Sequence, residues 1–314
     1  MTQALTTIMY HYVRELPLTR YPDIKGLLTS QFRAQIEYLK RNYTFVTIQD
    51  CIGALHNDVQ LPQNACLLTF DDGYLDHFTD VFPVLDANQI QGCFFPPAQA
   101  ILENKVLDVN KLHFILASVQ GRIDSLLKDI YGALDYYRAS YQLKTNKYYF
   151  SRLATKNQFD PAEIIFIKRL LQRELPEVLR GQITDELFQK YVTQDERAFS
   201  RELYMDLDQL RCLVNHGMHI GSHSYSHRWL DHLSETEQES EIEKSIQFLT
   251  QVGASTENWV MCYPYGAYDE SLLGLLRKRG CALGFTTKFS QTRVSLENAL
   301  TLERFDTNDF SQTA

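Results

Sequence analysis

The chain has 314 residues, 44% of them apolar and 22% charged, with a formal net charge of -8. That length can bury a large core, and it fits one large domain with an insertion as well as two ordinary ones. The acidic balance, without any basic patch interleaved with aromatics, argues against a nucleic-acid partner and says little about a neutral sugar.

In chain order, Thr6 to Tyr10 is a short strand-like opening, and Ser30 to Leu39 has helical spacing at Phe32, Ile36 and Leu39, with Ser30 as cap. Thr44 to Ile48 returns to strand character, and Cys66 to Phe70 is a compact apolar strand followed at once by an acidic turn. Phe78 to Leu85 reads as a helix, with Pro83 in its first turn if the helix begins late. Gly92 to Phe95 is another strand, stopped by Pro96-Pro97. This alternation implies α/β architecture with functional groups at strand ends.

From Ile101 to about Glu202 the rhythm breaks into helical patterns, including Ile115 to Leu127 and Ala162 to Leu171. The chain therefore divides into 1–100, a largely helical insertion or cap over 101–205, and a resumed α/β part over 206–314. Asp208 to Val214 is helical and ends near Gly217, and His219-Ile220-Gly221 is strand-like. Ser234 to Glu237 is a capping box for a helix running toward Thr250. Trp259 to Tyr263 and Ala282 to Thr286 read as strands, separated by a helix over Glu270 to Lys278 that Asp269 caps.

No apolar run approaches the roughly 20 residues needed to span a bilayer, so no integral membrane segment is expected. Residues 1–13 lack the features of an export signal, which makes the cytoplasm the default location. The six cysteines, at 51, 66, 93, 212, 262 and 281, are dispersed without a CxxC pair and read as reduced thiols.

Two motifs carry chemistry. Thr69-Phe70-Asp71-Asp72-Gly73 follows an apolar strand, and neighbouring side chains on extended backbone diverge, which suits a division of labour between the two carboxylates. Asp72 is expected to ligate a divalent metal, and Asp71 to accept a proton from the attacking water. His223 and His227 can face the same ion if the residues between them form one helical turn. Two imidazoles and a carboxylate suit zinc, and also accept cobalt, nickel or iron. Tyr265, just after a strand-terminal proline, is a candidate backbone donor for an oxyanion.

TFDDG at 69–73 and HSYSH at 223–227 resemble the first two motifs of the NodB-homology polysaccharide deacetylases, carbohydrate esterase family four. The resemblance implies a distorted (β/α)7 barrel with the helical insertion outside its core. It implies Asp71 as base, Asp72, His223 and His227 as metal ligands, and the Tyr265 amide in the oxyanion hole. Within the family, Tyr10-His11-Tyr12, Arg20-Tyr21-Pro22, Lys25-Gly26-Leu27 and the stretch Val106 to Lys111 resemble the WbmS-like subgroup of surface-polysaccharide and O-antigen loci. The implied reaction is N-deacetylation of an acetamido sugar, presented as a nucleotide sugar or glycan, in the cytoplasm or at the periphery of membrane-associated glycan assembly. Other amides, formamides or esters, or a catalytically silent glycan-binding role, are the alternatives.

The chain departs from the pattern at the third motif, at the C-terminal histidine and at the Asp-bearing fourth motif that orients that histidine, which is not recognisable here. Cys262 stands where the family usually has the arginine that sets the base, and Arg304 is a spatial substitute judged from charge. No histidine follows His232 to act as the usual general acid, so His11 is the leading substitute, ahead of His113, Asp306 and Asp309.

Overall fold

A computed structural model describes residues 4–56, 60–119, 121–156 and 160–309. The first unit comprises Met1–Glu15, Lys25–Lys105 and Ser200–Ala314. It begins with β1 (Ala4–Tyr10), α1 (Thr29–Asn42), β2 (Thr44–Phe45), α2 (Ile48–Leu55) and β3 (Ala65–Asp71). β3 is buried at all seven positions, as an apolar run in the middle of a parallel sheet must be. It pairs in parallel with β1 from Leu5↔Ala65 to Tyr10↔Phe70.

α1 starts earlier than the apolar spacing implies. Leu28, not Ser30, is the N-cap residue, and its N–H donates to the Gln31 side chain at 3.1 Å. Thr44 to Ile48 is not one strand: Thr47 caps α2, accepting the Asp50 N–H at 3.1 Å, so the apolar Ile48 opens a helix. A π-helical turn over His77–Val81 precedes α3 (Phe82–Ala87), which puts Pro83 in the first turn, where its missing N–H costs nothing.

β4 (Gly92–Phe95), α4 (Ala98–Glu103), α5 (Asp108–Ser118), α6 (Ile123–Tyr141), α7 (Asn146–Leu153), α8 (Ala162–Arg169), α9 (Glu177–Tyr191) and α10 (Glu196–Leu203) follow. Then come α11 (Leu207–Asn215), β5 (His219–Ile220), α12 (Glu235–Val252), β6 (Val260–Cys262), α13 (Glu270–Lys278), β7 (Leu283–Phe285), β8 (Thr292–Arg293) and β9 (Phe305–Asp306).

The main sheet has seven strands, in the order β5-β4-β3-β1-β8, with β2 beside β3 and β9 beside β1. β6 and β7 pair in parallel as a separate two-stranded sheet. Among the described residues, single bridges, Ser222↔Met261 and Phe285↔Leu302, flank that pair. The fold is thus mixed α/β, and among the described residues its strand ladders do not run continuously around a closed barrel. Leu5, Leu67, Cys93, Phe95, Val260 and Phe285 share one buried apolar cluster beneath the strand ends that carry the site.

The second unit comprises Leu16–Ile24 and Val106–Phe199. Its regular structure is helical, with Phe114, Ile130, Leu134, Phe166, Ile183 and Phe188 buried. Ile115 to Leu127 is not one helix, because α5 ends at Ser118 and Gly121 (φ 72) adopts a left-handed conformation before α6 begins.

Candidate metal centre

Asp71 ends β3, and the chain then turns through two left-handed residues, Asp72 (φ 70) and Gly73 (φ 66). Aspartate tolerates this region. At the next position only glycine fits, since a Cβ would lie 2.6 Å from Pro96 Cβ. The turn gives the adjacent carboxylates separate surroundings.

Asp72 faces two imidazoles. Its Oδ1 lies 3.5 Å from His223 Nε2 and 3.4 Å from His227 Nε2. His223 Nδ1–H donates to the Cys262 carbonyl at 2.7 Å, which leaves the Nε2 lone pair toward Asp72. Asp72 Oδ2 is already satisfied by the Tyr74 hydroxyl at 2.5 Å, whereas Oδ1 is buried without a hydrogen-bond donor. One oxygen and two nitrogens converging around an unsatisfied carboxylate fit a divalent cation.

The electrostatics agree. Burial alone would raise the Asp72 carboxyl, but the two imidazoles facing it hold it well below the usual carboxylate range. Burial pushes His227 down toward the neutral form that a metal needs. Burial opposes charge on His223 as well, yet Cys262 and the carboxylates outweigh it and draw a proton there. Without a metal, a proton on His223 answers the same demand for positive charge.

The segment between the histidines is not a helical turn. Ser224 (φ 59) and His227 (φ 60) are left-handed, and Ser224 Oγ accepts the His227 N–H at 3.0 Å. Glu241 of α12 accounts for this shape: its carboxylate accepts the Tyr225 N–H at 3.0 Å, the Ser226 N–H at 2.9 Å and the Ser226 hydroxyl at 2.5 Å. A helix would have turned those amides elsewhere.

Asp71 has a different environment. Arg304 grips it with two bonds of 2.8 Å, and the guanidinium also donates to Thr69 Oγ1 at 3.1 Å and the Thr286 carbonyl at 2.8 Å. Burial raises the Asp71 carboxyl, but Arg304 outweighs that and holds it at about 2. Arg304 is itself 1% exposed, so this is a desolvated bidentate ion pair. The Cys262 thiol also donates to Asp71 Oδ1, at 3.4 Å. Asp71, His223 and Cys262 form a second compact cluster, but the guanidinium already holds both oxygens of Asp71 and repels a cation there.

His11 Nε2 is 3.9 Å from Asp71 Oδ2, and its side chain is 43% exposed. Tyr265 is left-handed (φ 58, ψ 8) in the turn after β6. Its ring meets His227 edge-on at 4.8 Å and stacks on Trp229 at 4.3 Å, so this turn lies against the triad. His113 sits on α5 in the other unit. Asp306 lies in β9, and Asp309 accepts the Asp306 N–H at 2.8 Å. Sequence reading missed Tyr74, Glu241 and Trp229. Only the position of Tyr74, directly after the acidic motif, offered any signal.

The fold and the site define an α/β protein with a candidate divalent-metal centre at its strand ends. Residues 184–284 match the family model described as polysaccharide deacetylase. A stretch of 69 residues, 22% of this chain, is 41% identical to the poly-beta-1,6-N-acetyl-D-glucosamine N-deacetylase of Escherichia coli K12. The match spans 10% of that relative's length. Among solved structures, Streptococcus pyogenes deacetylase PplD in complex with acetate is similar over 98% of this chain and 93% of its own, with a TM-score of 0.58 at 15% identity. IcaB from Ammonifex degensii is similar over 96% and 91%, with a TM-score of 0.57 at 19% identity. The family match lies within residues 184–284, and the likeness to the solved structures, at 15% and 19% identity, is one of fold.

Proposed function

We propose that this protein hydrolyses the N-acetyl group of an acetamido sugar in a metal-dependent reaction, acting on a nucleotide sugar or glycan during surface-polysaccharide or O-antigen synthesis. One observation carries the reading: Asp72 Oδ1 lies unsatisfied between two imidazoles, while its neighbour Asp71 is held ionised outside that triad. Asp72, His223 and His227 would hold the ion, zinc by preference with cobalt, nickel or iron as substitutes. When bound, it polarises the acyl carbonyl and makes water a stronger acid.

The chain's own groups supply the rest. Asp71, ionised through the working pH range, accepts the proton of the attacking water. His11, 3.9 Å away and accessible, takes it to the departing nitrogen. The Tyr265 amide, in its left-handed turn beside His227, donates to the developing oxyanion.

The fold reading deepens in the same way. The single bridges flanking β6 and β7, with β9 beside β1, support a distorted seven-stranded barrel, into which 101–205 is a helical insertion between the parts 1–100 and 206–314. Among the described residues no helix is long and apolar enough to cross a membrane. Action in the cytoplasm on glycan precursors, as in the WbmS-like subgroup, is part of the proposal.

Acetate release from N-acetylated nucleotide sugars and glycans, measured with zinc or cobalt present, tests it. Asp71→Asn should keep the metal and lose most turnover, and His223→Ala should lose both. Metal binding without turnover across sugars, amides and esters would replace this reading with a glycan-binding one.

A further inference from the structure

We propose that Tyr74 sets the ligand mode of Asp72, confining it to metal ligation through one oxygen and thereby tuning the strength of the centre. The two oxygens of Asp72 are sharply distinguished: Oδ2 takes the Tyr74 hydroxyl at 2.5 Å, and Oδ1 is the buried acceptor without a donor, 3.5 and 3.4 Å from the two imidazole nitrogens. Tyr74 is fully buried, so bulk water does not replace the phenol if the carboxylate rotates away. Rotation would break that buried, charge-assisted hydrogen bond, which makes the one-oxygen arrangement the resting one.

The phenol is also fixed in place. Its ring stacks on Tyr12 at 4.1 Å and lies parallel to Tyr204 at 6.1 Å. Its backbone bridges Tyr204, and the adjacent Gly73 carbonyl accepts the Met205 N–H at 3.0 Å. Three segments of the first unit thus hold one hydroxyl, and that hydroxyl aims one carboxylate. Partners of this kind typically change metal affinity 10- to 100-fold when removed.

The inference rests on Asp72, His223 and His227 being the metal site, and its test uses no substrate, so its failure is separate from failure of the deacetylase reading. Tyr74→Phe keeps the ring and its stacking and removes only the hydroxyl. Zinc titration of the metal-depleted full chain against a chromophoric chelator should show the dissociation constant weakened about 10- to 100-fold. The cobalt absorption spectrum of the variant should change with it, as the released oxygen approaches the ion. A zinc affinity within about twofold of the parent, with an unaltered cobalt spectrum, would overturn the proposal. If the variant does not fold, a zinc-loaded crystal structure of the parent decides: one Asp72 oxygen on zinc supports the inference, and two ligating oxygens end it.

Discussion

Replacing Arg304 with methionine isolates the ion pair that keeps Asp71 charged. In the parent, the Asp71 carboxyl sits at about 2 against an ordinary 3.8, a gap worth about 2 kcal/mol. Because the folded value is the lower one, that stability is present above about pH 4 and is lost as pH falls toward 2. Arg304→Met leaves a buried carboxylate without its cation, at a cost of about 3–5 kcal/mol near neutral pH. The sign then reverses: burial unopposed by the guanidinium puts the folded value above the unfolded one, so the variant should regain stability as pH falls from 7 toward 5. Urea unfolding of metal-depleted protein, followed by circular dichroism from pH 3 to 8, reads both slopes. Adding Asp71→Asn to Arg304→Met removes the stranded charge and should restore much of the loss. Parallel pH profiles for parent and Arg304→Met, or no recovery in the double variant, would refute the reasoning.

Glu241→Gln replaces an anion that accepts three donors with an amide whose NH2 faces some of them, so the loop from His223 to His227 should loosen. The expected cost is about 1–3 kcal/mol in unfolding free energy, with weaker zinc binding by competition titration. His77 is buried and His219 half-buried, and desolvation lowers each to about 4 from an ordinary 6.5. The unfolded chain therefore takes up protons first, and stability should fall as pH drops from about 6.5 to 4, by about 3 kcal/mol for each. His219→Gln should flatten part of that slope in the same urea series.

The parallel strands were legible because their apolar runs are short and punctuated: Gly92 to Phe95 stands as read, and Cys66 to Phe70 gains one residue at each end. Errors came where local pattern competes with side-chain hydrogen bonding. Thr47 with Asp50 converts an apparent strand into a helix start, and Leu28 with Gln31 caps α1 where Ser30 looked better suited. The HSYSH spacing suggested a helix because i,i+4 is the familiar route to paired imidazoles. What bends that loop is Glu241, on another element, and periodicity carries no trace of it. Arg304 as partner of Asp71 could be guessed from charge, but nothing local in the sequence marks the pairing. Tyr74 and Trp229 act through ring contacts and hydrogen bonds that exist only once the fold has formed.

The ion pair that compensates Asp71 joins positions 233 residues apart in the sequence. During synthesis Asp71 must wait without its cation until Arg304 has emerged. Closing so long a span is slow. A deletion that reaches Arg304 would therefore strip Asp71 of its cation as surely as a deletion within the acidic motif would remove the carboxylate itself.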